Sequence, residues 1–140
     1  MKNVKTGEIN KNKNMKKIIS TTHAPAAIGP YSQGIQVGDL LFVSGQIPIV
    51  PETGKILEGD IKMQTLQVMK NIGAVLEAAG MDYSNLVKCT CYLADIEDFK
   101  AMNEVYGTYF SAAPPARAAI QVGKLPLGSK VEIDSIAAKK

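Results

Sequence analysis

The sequence is poor in the residue types that build several common kinds of functional site. Its 16 basic lysine and arginine residues include one arginine, Arg117, and it has one histidine, two cysteines and no tryptophan. A single histidine excludes a multi-histidine metal site, and two cysteines are too few for a disulfide scaffold. No apolar run is long enough to cross a membrane, and the lysine-rich start lacks the apolar segment of a secretory signal. We therefore expect a reduced, cytoplasmic protein.

Charge is distributed unevenly along the chain. Residues 1–17 contribute +5 to a formal net charge of +3, which leaves −2 on the remaining residues. A nucleic-acid-binding domain carries its basic excess on the folded surface, so nucleic acid is not an expected partner. We predict that residues 1–15 are a disordered basic tail or a non-native start. Residues 16–140 are predicted to form one domain.

The pattern of apolar residues predicts an α+β domain. A short strand is expected at KKIIS, followed by strands over 35–37 and 40–44, and by a surface loop over 46–59. Asp60 is the expected start of a long helix with apolar residues at helical spacing, and Gly80 its expected stop. Residues 86–93 alternate as a strand does. Asp95 is a candidate N-cap for a second helix, and 117–122 and 130–137 are the last two strands.

Without the short strand at KKIIS, these elements give the order ββαβαββ. Two helices would cover one face of a single mixed sheet, which gives a two-layer sandwich. The other sheet face has no helix to cover it, and self-association would bury it.

Arg117 and Glu132 are the candidate chemical groups. Each alternates with aliphatic residues in one of the last two strands. If the aliphatic sets face the helices, both charged residues lie on the helix-free face. A guanidinium can hold a carboxylate or phosphate through two parallel hydrogen bonds, which lysine cannot do. A glutamate can move a proton or orient water. The alternative is a structural ion pair between neighbouring strands.

Other candidates are weaker. His23 lies in a proline-flanked loop and is expected to be exposed. Cys89 and Cys91 lack the further ligands of a zinc site and are expected to pack inside the sheet. Tyr31 follows Gly29-Pro30 in a loop, from which its hydroxyl could reach a pocket. The sequence shows neither a serine-hydrolase relay nor a glycine-rich nucleotide-binding motif.

Six segments, in order, carry a family resemblance. They are APAAIGPYSQG (24–34), FVSGQIP (42–48), LEAAG (76–80), VKCTCYLADIEDFKAMNEVY (87–106), PPARAAIQVGKLP (114–126) and VEIDSIA (131–137). Together they resemble the RidA/YjgF family of reactive-intermediate deaminases, the 2-iminobutanoate/2-iminopropanoate deaminases. The resemblance extends from about Lys16 to the end of the chain.

The resemblance implies a chorismate-mutase-like fold assembled as a homotrimer around a central barrel, with ligand clefts at the subunit interfaces. It implies hydrolysis of short 2-imino acids to 2-oxo acids and ammonia, with no metal or organic cofactor. By motif, Arg117 would clamp the substrate carboxylate and Glu132 would position or activate the attacking water. The residues that would line the cleft are Tyr31, Ser44, Gly45 and, from another part of the interface, Asn103.

One position departs from part of the family. Ala119 stands where some members have cysteine, which puts thiol-linked behaviour in doubt but leaves the proposed acid–base chemistry intact. Two other functions remain open at this point. The same cleft would serve a non-catalytic trimeric regulator that binds small carboxylates, and ribonuclease or translation-inhibitor activity has been attributed to family members.

Overall fold

The computed structural model describes residues 15–140, so the predicted basic tail lies outside the described residues except for Met15. One layer is a six-stranded mixed sheet. Its strands are β1 (Lys17–Ile19), β2 (Gly34–Val37), β3 (Leu40–Gln46), β6 (Leu86–Leu93), β7 (Ala116–Gln121) and β8 (Val131–Ala138). They lie in the order β1-β2-β3-β8-β6-β7. Neighbouring strands are antiparallel except β6 and β7, which are parallel.

Two helices form the second layer. Helix α1 spans Ile61–Ala78 and begins, as predicted, after Asp60, whose side chain accepts a hydrogen bond of 2.9 Å from the Met63 amide. Gly80 follows its end with φ 73°, the conformation expected of a glycine stop. Helix α2 spans Phe99–Gly107. Asp95, the predicted N-cap of the second helix, caps the short 3₁₀ turn Ile96–Asp98 and not α2 itself. The prediction therefore placed the start of this helix too early in the chain.

The core lies between the helices and the sheet. Helix α1 buries Val68, Ile72 and Val75 completely, whereas its Leu66 is 41% exposed. Both cysteines of β6 are fully buried, which confirms that they pack inside the sheet. No helix in residues 15–140 has the length and apolar character needed to cross a membrane.

The predicted order ββαβαββ is one strand short of the main sheet, which has six. The omitted strand is β1, which confirms the short strand expected at KKIIS and pairs with β2 at the sheet edge. The segment predicted as a loop over 46–59 contains a small hairpin, β4 (Ile49–Val50) and β5 (Lys55–Ile56). Two-residue strands carry too little alternation to be recognised. Buried Asn71 of α1 anchors this segment by donating to the carbonyls of Ile47 and Ile49 at 3.1 and 2.9 Å.

The sheet face away from the helices is rich in apolar side chains. They are Ile18, Val37, Leu40, Phe42 and Ile120, each between 37% and 64% exposed. This helix-free face is the one predicted to remain uncovered.

Candidate active site

The predicted site residues fall into two groups on opposite faces of the sheet. Strand register pairs Arg117 with Cys89, and Glu132 with Tyr92. Paired residues share a face, and Cys89 is fully buried beneath the helices. Arg117 therefore lies on the helix-covered face and Glu132 on the helix-free face. The prediction that both lie on the helix-free face was wrong for Arg117.

The error has a physical cause in β7, which is an edge strand. Its isoleucine, Ile120, faces away from the helices and is 48% exposed. On the other side, small Ala119 packs against the core beside Arg117 and leaves room for the aromatic rings of α2. At a sheet edge, apolar character alone does not identify the buried face. An ion pair between Arg117 and Glu132 is excluded too, because β6 separates their strands.

Three side chains of α2 hold the guanidinium of Arg117, and we call the four residues the Arg117 cluster. Phe99, Asn103 and Tyr106 share one face of the helix because they are four and three residues apart. The guanidinium carbon lies 5.3 Å from the Phe99 ring centroid and 4.9 Å from that of Tyr106, within cation–π range. One Nη donates a hydrogen bond to Asn103 Oδ1. Among the described residues no carboxylate forms an ion pair with Arg117, so further N–H groups remain available to an anion.

The contacts of Phe99 and Tyr106 with Arg117 were not foreseen from the sequence, and both rings also pack in or against the core. Their spacing around Asn103 was the available signal. Tyr106 is buried in the same core as Cys89. Burial raises the pKa of Cys89, and the hydroxyls of Tyr106 and Ser135 only partly oppose this effect.

The second group lines a cleft of about 510 Å³ on the other side of the sheet, which we call the Glu132 cleft. Tyr31, Ser44, Gly45 and Glu132 all contribute to its wall. The structure thus brings four of the six predicted site residues together. Much of the remaining wall is apolar and consists of Pro25, Ile28, Ile47, Ile49, Pro126 and Leu127.

A β-bulge places Ser44 and Gly45 in the Glu132 cleft. The register between β3 and β8 shifts after Val43, because Val43 pairs with Ser135 but Gln46 pairs with Ile133. Strand β3 therefore contains one extra residue at this point. Bulges often re-aim backbone next to active sites. Ser44 Oγ donates to the Ser32 carbonyl at 2.5 Å. A Cβ on Gly45 would lie 2.6 Å from Oε2 of Glu132, so any side chain at this position would displace the carboxylate.

Gln33 fixes the loop that carries Tyr31. It is buried, and its amide donates to the carbonyls of Thr21 and Pro25 at 3.0 and 2.8 Å while its oxygen accepts from the Thr21 amide at 2.7 Å. Sequence reasoning missed this residue, because a polar side chain in a loop gives no periodic signal. The Tyr31 hydroxyl accepts a hydrogen bond from the Ile28 amide at 3.4 Å. The tyrosine is 51% exposed.

Glu132 has the electrostatic environment of a proton acceptor. Burial raises the pKa of its carboxyl above the ordinary value, and the charge of Asp134 raises it further. Tyr92 donates a hydrogen bond to Asp134 at 2.9 Å, whereas no residue of 15–140 donates one to Glu132. Of the two carboxylates on this strand face, Glu132 is therefore the one left to interact with a ligand or water.

Metal-ligating residues are not clustered in this site. Within residues 15–140 no group of three or more histidine, cysteine, aspartate or glutamate side chains is placed to hold a metal ion. His23 is exposed, as predicted.

Comparison with known proteins identifies the family of this chain. The sequence profile of the family described as Endoribonuclease L-PSP matches residues 21–139. The mouse protein named 2-iminobutanoate/2-iminopropanoate deaminase is 51% identical over 123 residues, which is 88% of this chain and 91% of the mouse protein. The chain belongs to the RidA/YjgF family. Protein DfrA of Myxococcus xanthus is 55% identical over 124 residues, covering 87% of this chain and 95% of DfrA.

The fold of this family member is shared with solved structures. The crystal structure of TdcF from E. coli with bound serine aligns with a TM-score of 0.85 and 42% identity. The alignment covers 89% of this chain and 99% of TdcF. An α+β fold with one mixed sheet and two helices is therefore established for the family member described above.

Proposed function

We propose that this protein hydrolyses reactive 2-imino acids, among them 2-iminobutanoate and 2-iminopropanoate, to 2-oxo acids and ammonia. The observation that carries the proposal is the carboxylate of Glu132, which lies half-buried in a cleft with a raised pKa and no hydrogen-bond donor among the described residues. Relatives about 50% identical that are named for this activity, from mouse and rat, support it.

The active site would form between two copies of the chain. Arg117 and Glu132 lie on opposite faces of one sheet, so a single chain cannot present both to one small substrate. In the homotrimer that we propose, the helix-free faces pack around a central barrel and bury their apolar side chains. The Arg117 cluster of one copy would then meet the Glu132 cleft of the next, giving three equivalent sites.

The proposed reaction needs few groups. Arg117 would bind the substrate carboxylate through the N–H groups that Asn103 leaves available. Glu132 would accept a proton from water while the water oxygen bonds to the imine carbon and the C=N electron pair moves to nitrogen. Transfer of that proton to the amine then lets the C–N bond break as the hydroxyl oxygen forms the C=O bond, and the hydroxyl proton passes through Glu132 to the departing ammonia. The 2-oxo acid and an ammonium ion leave, with one water consumed.

The energetic demand on the protein is small, because a protonated imine is already electrophilic. General acid–base catalysis contributes ~10²–10⁴-fold, and holding the carboxylate adds an orientation effect. The proposed mechanism uses no metal or organic cofactor, and we place the reaction in the cytoplasm.

A second candidate is a trimeric regulator that binds small carboxylates without turnover. The bound serine in E. coli TdcF shows that a family member takes a small amino acid. Glu132 favours catalysis over this alternative, because an unpaired negative charge weakens binding of an anion. Ribonuclease activity, to which the description of the family profile refers, is less favoured because residues 18–140 carry a net charge of −2 and the single histidine is exposed.

The decisive experiment generates 2-iminobutanoate with a threonine dehydratase and follows ammonia and 2-oxobutanoate with and without this protein. We expect faster product formation with the wild type. Arg117→Lys keeps the positive charge but loses the planar guanidinium with its two parallel N–H donors. We therefore expect kcat/KM to fall by about 10²-fold or more while the assembly persists. A fully active lysine variant would contradict the role of the guanidinium.

Glu132→Gln separates the two candidates. For a deaminase, the variant binds small carboxylates as well as or better than the wild type but loses turnover by about 10²-fold or more. Glu104→Gln is the matched control, since Glu104 is an exposed carboxylate that pairs with Lys62 at 2.6 Å. If the wild type accelerates no 2-imino acid yet binds carboxylates, the regulator replaces the deaminase.

A further inference from the structure

Leu127 has a backbone conformation that leucine rarely adopts. It is the one non-glycine residue of 15–140 with a positive φ, at 56° with ψ 26°. Such a conformation costs free energy for a residue with a Cβ, most of all for a bulky one. Glycine or asparagine would meet the backbone requirement with less strain. Local geometry therefore does not explain why the position holds leucine.

Core packing does not explain the leucine either. Its side chain is 64% exposed and is absent from the buried core. An exposed leucine in a strained conformation gains nothing from the folded chain alone. Strain of this kind is often found where a ligand is contacted.

The side chain of Leu127 forms part of the wall of the Glu132 cleft. Ile28, which is 75% exposed, is on the same wall, and Ile47 and Ile49 continue the apolar surface. The polar residues Tyr31, Ser44 and Glu132 complete the lining. The cleft thus offers polar groups for a reacting centre and an apolar surface for a substituent.

We propose that Leu127, together with Ile28, is a specificity-determining contact for the alkyl substituent of the substrate. The preferred class is 2-imino acids with aliphatic side chains longer than ethyl, such as the imine derived from leucine. This inference rests on the proposed deaminase function and deepens it. The strain at Leu127 is retained because the isobutyl group contacts that substituent and excludes water from it.

Leu127→Asn tests the contact, because asparagine tolerates the left-handed conformation and is close to leucine in size. Leu66→Asn is the matched control, since Leu66 is an exposed leucine on α1 that does not line the cleft. A broad-specificity amino-acid oxidase with catalase produces the four-carbon imine from 2-aminobutyrate and the six-carbon imine from leucine in the same buffer. Ammonia-forming hydrolysis of each imine gives kcat/KM, and sedimentation reports the assembly.

We expect Leu127→Asn to lower the ratio of kcat/KM for the six-carbon over the four-carbon imine on the order of tenfold, since one methylene in an apolar pocket is worth ~10-fold or more. Leu66→Asn should leave the ratio unchanged. An unchanged ratio in Leu127→Asn with intact assembly overturns the inference and leaves the deaminase standing. Loss of both activities together with loss of assembly also overturns it, because Leu127 is then a subunit contact. A wild type that accelerates neither imine overturns the proposed function itself.

Discussion

Gly45 is a glycine because of a contact with Glu132 and not because of its own backbone conformation. Its φ is not in the left-handed region, and the requirement comes from Oε2 of Glu132, which would lie 2.6 Å from an added Cβ. Such a contact joins β3 and β8 and has no local signature.

Gly45→Ala should displace the Glu132 carboxylate while leaving the fold intact, because Gly45 is exposed. We expect kcat/KM for 2-iminobutanoate to fall by roughly 10²-fold, the lower range of acid–base catalysis, with little change in thermal midpoint. Gly123→Ala is the control, since a Cβ there meets no atom within 4 Å. Equal activities of the two variants would show that the position of the carboxylate does not limit the reaction.

The raised pKa of Glu132 predicts two pH effects. If Glu132 must be ionised to act, kcat/KM falls on the acid side with a midpoint above pH 4.5, the ordinary pKa of the carboxyl.

The second effect concerns stability. Because the folded state holds the Glu132 proton more tightly than the unfolded state, ionisation lowers the free energy of unfolding as the pH rises above 4.5. Glu132→Gln should therefore raise the free energy of unfolding at pH 7 relative to the wild type, and less so at pH 4. Urea titrations at both pH values measure this, and a larger gain at pH 4 would contradict the assigned direction.

At the scale of elements, the long helix and the strand over 86–93 were predictable because their periodicity extends over many residues. The hairpin of β4 and β5 was not, since hydrogen bonds from Asn71 hold part of that segment, and such long-range bonds leave no trace in local composition. The face on which Arg117 lies was misassigned for β7. In this edge strand the aliphatic Ile120 is exposed, whereas Arg117 is covered by the aromatic rings of α2.

Helix α1 contains a glycine whose role is steric. A Cβ on Gly73 would lie 2.2 Å from the hydroxyl of Tyr83, which donates to the Met69 carbonyl at 2.8 Å. Alanine normally stabilises a helix interior by about 1 kcal/mol over glycine, but here overpacking should outweigh this. We expect Gly73→Ala to lower the free energy of unfolding by about 1–3 kcal/mol, measured by urea denaturation.

Gly107→Ala provides the comparison, because it lies in α2 with no atom within 4 Å of an added Cβ. It should be neutral or stabilising by up to about 1 kcal/mol. If both alanines stabilise equally, Tyr83 moves aside at no cost and the steric explanation is wrong.

At the scale of the whole molecule, the uncovered sheet face was predictable from counting helices against sheet faces. The division of the candidate site between the two faces was not, because it depends on which face of the edge strand β7 is turned toward the helices, and its exposed Ile120 conceals this in the sequence. If Arg117 and Glu132 act on one substrate, each chain supplies half of two different sites.

This division predicts complementation between two inactive variants. Arg117→Ala and Glu132→Gln are each expected to be inactive, but a refolded equimolar mixture combines an intact Arg117 from one chain with an intact Glu132 from another. Random assembly should restore about a quarter of the wild-type activity. Mixing the folded proteins without refolding is the control. A refolded mixture that forms mixed assemblies yet stays inactive would place the whole site within one chain.

Ala119, beside Arg117, has a further consequence for how the protein withstands oxidative damage. The only two thiols of the chain are fully buried in β6, and burial raises the pKa of Cys91 to about 12. Thiolates, not thiols, react with peroxides and alkylating electrophiles. A relative with cysteine in place of Ala119 would carry a second thiol near its arginine, at the sheet edge. In this chain the thiol beside Arg117 is that of its register partner Cys89, which is fully buried. Peroxide released by amino-acid oxidases, which also produce imines, therefore finds no exposed thiol beside the arginine.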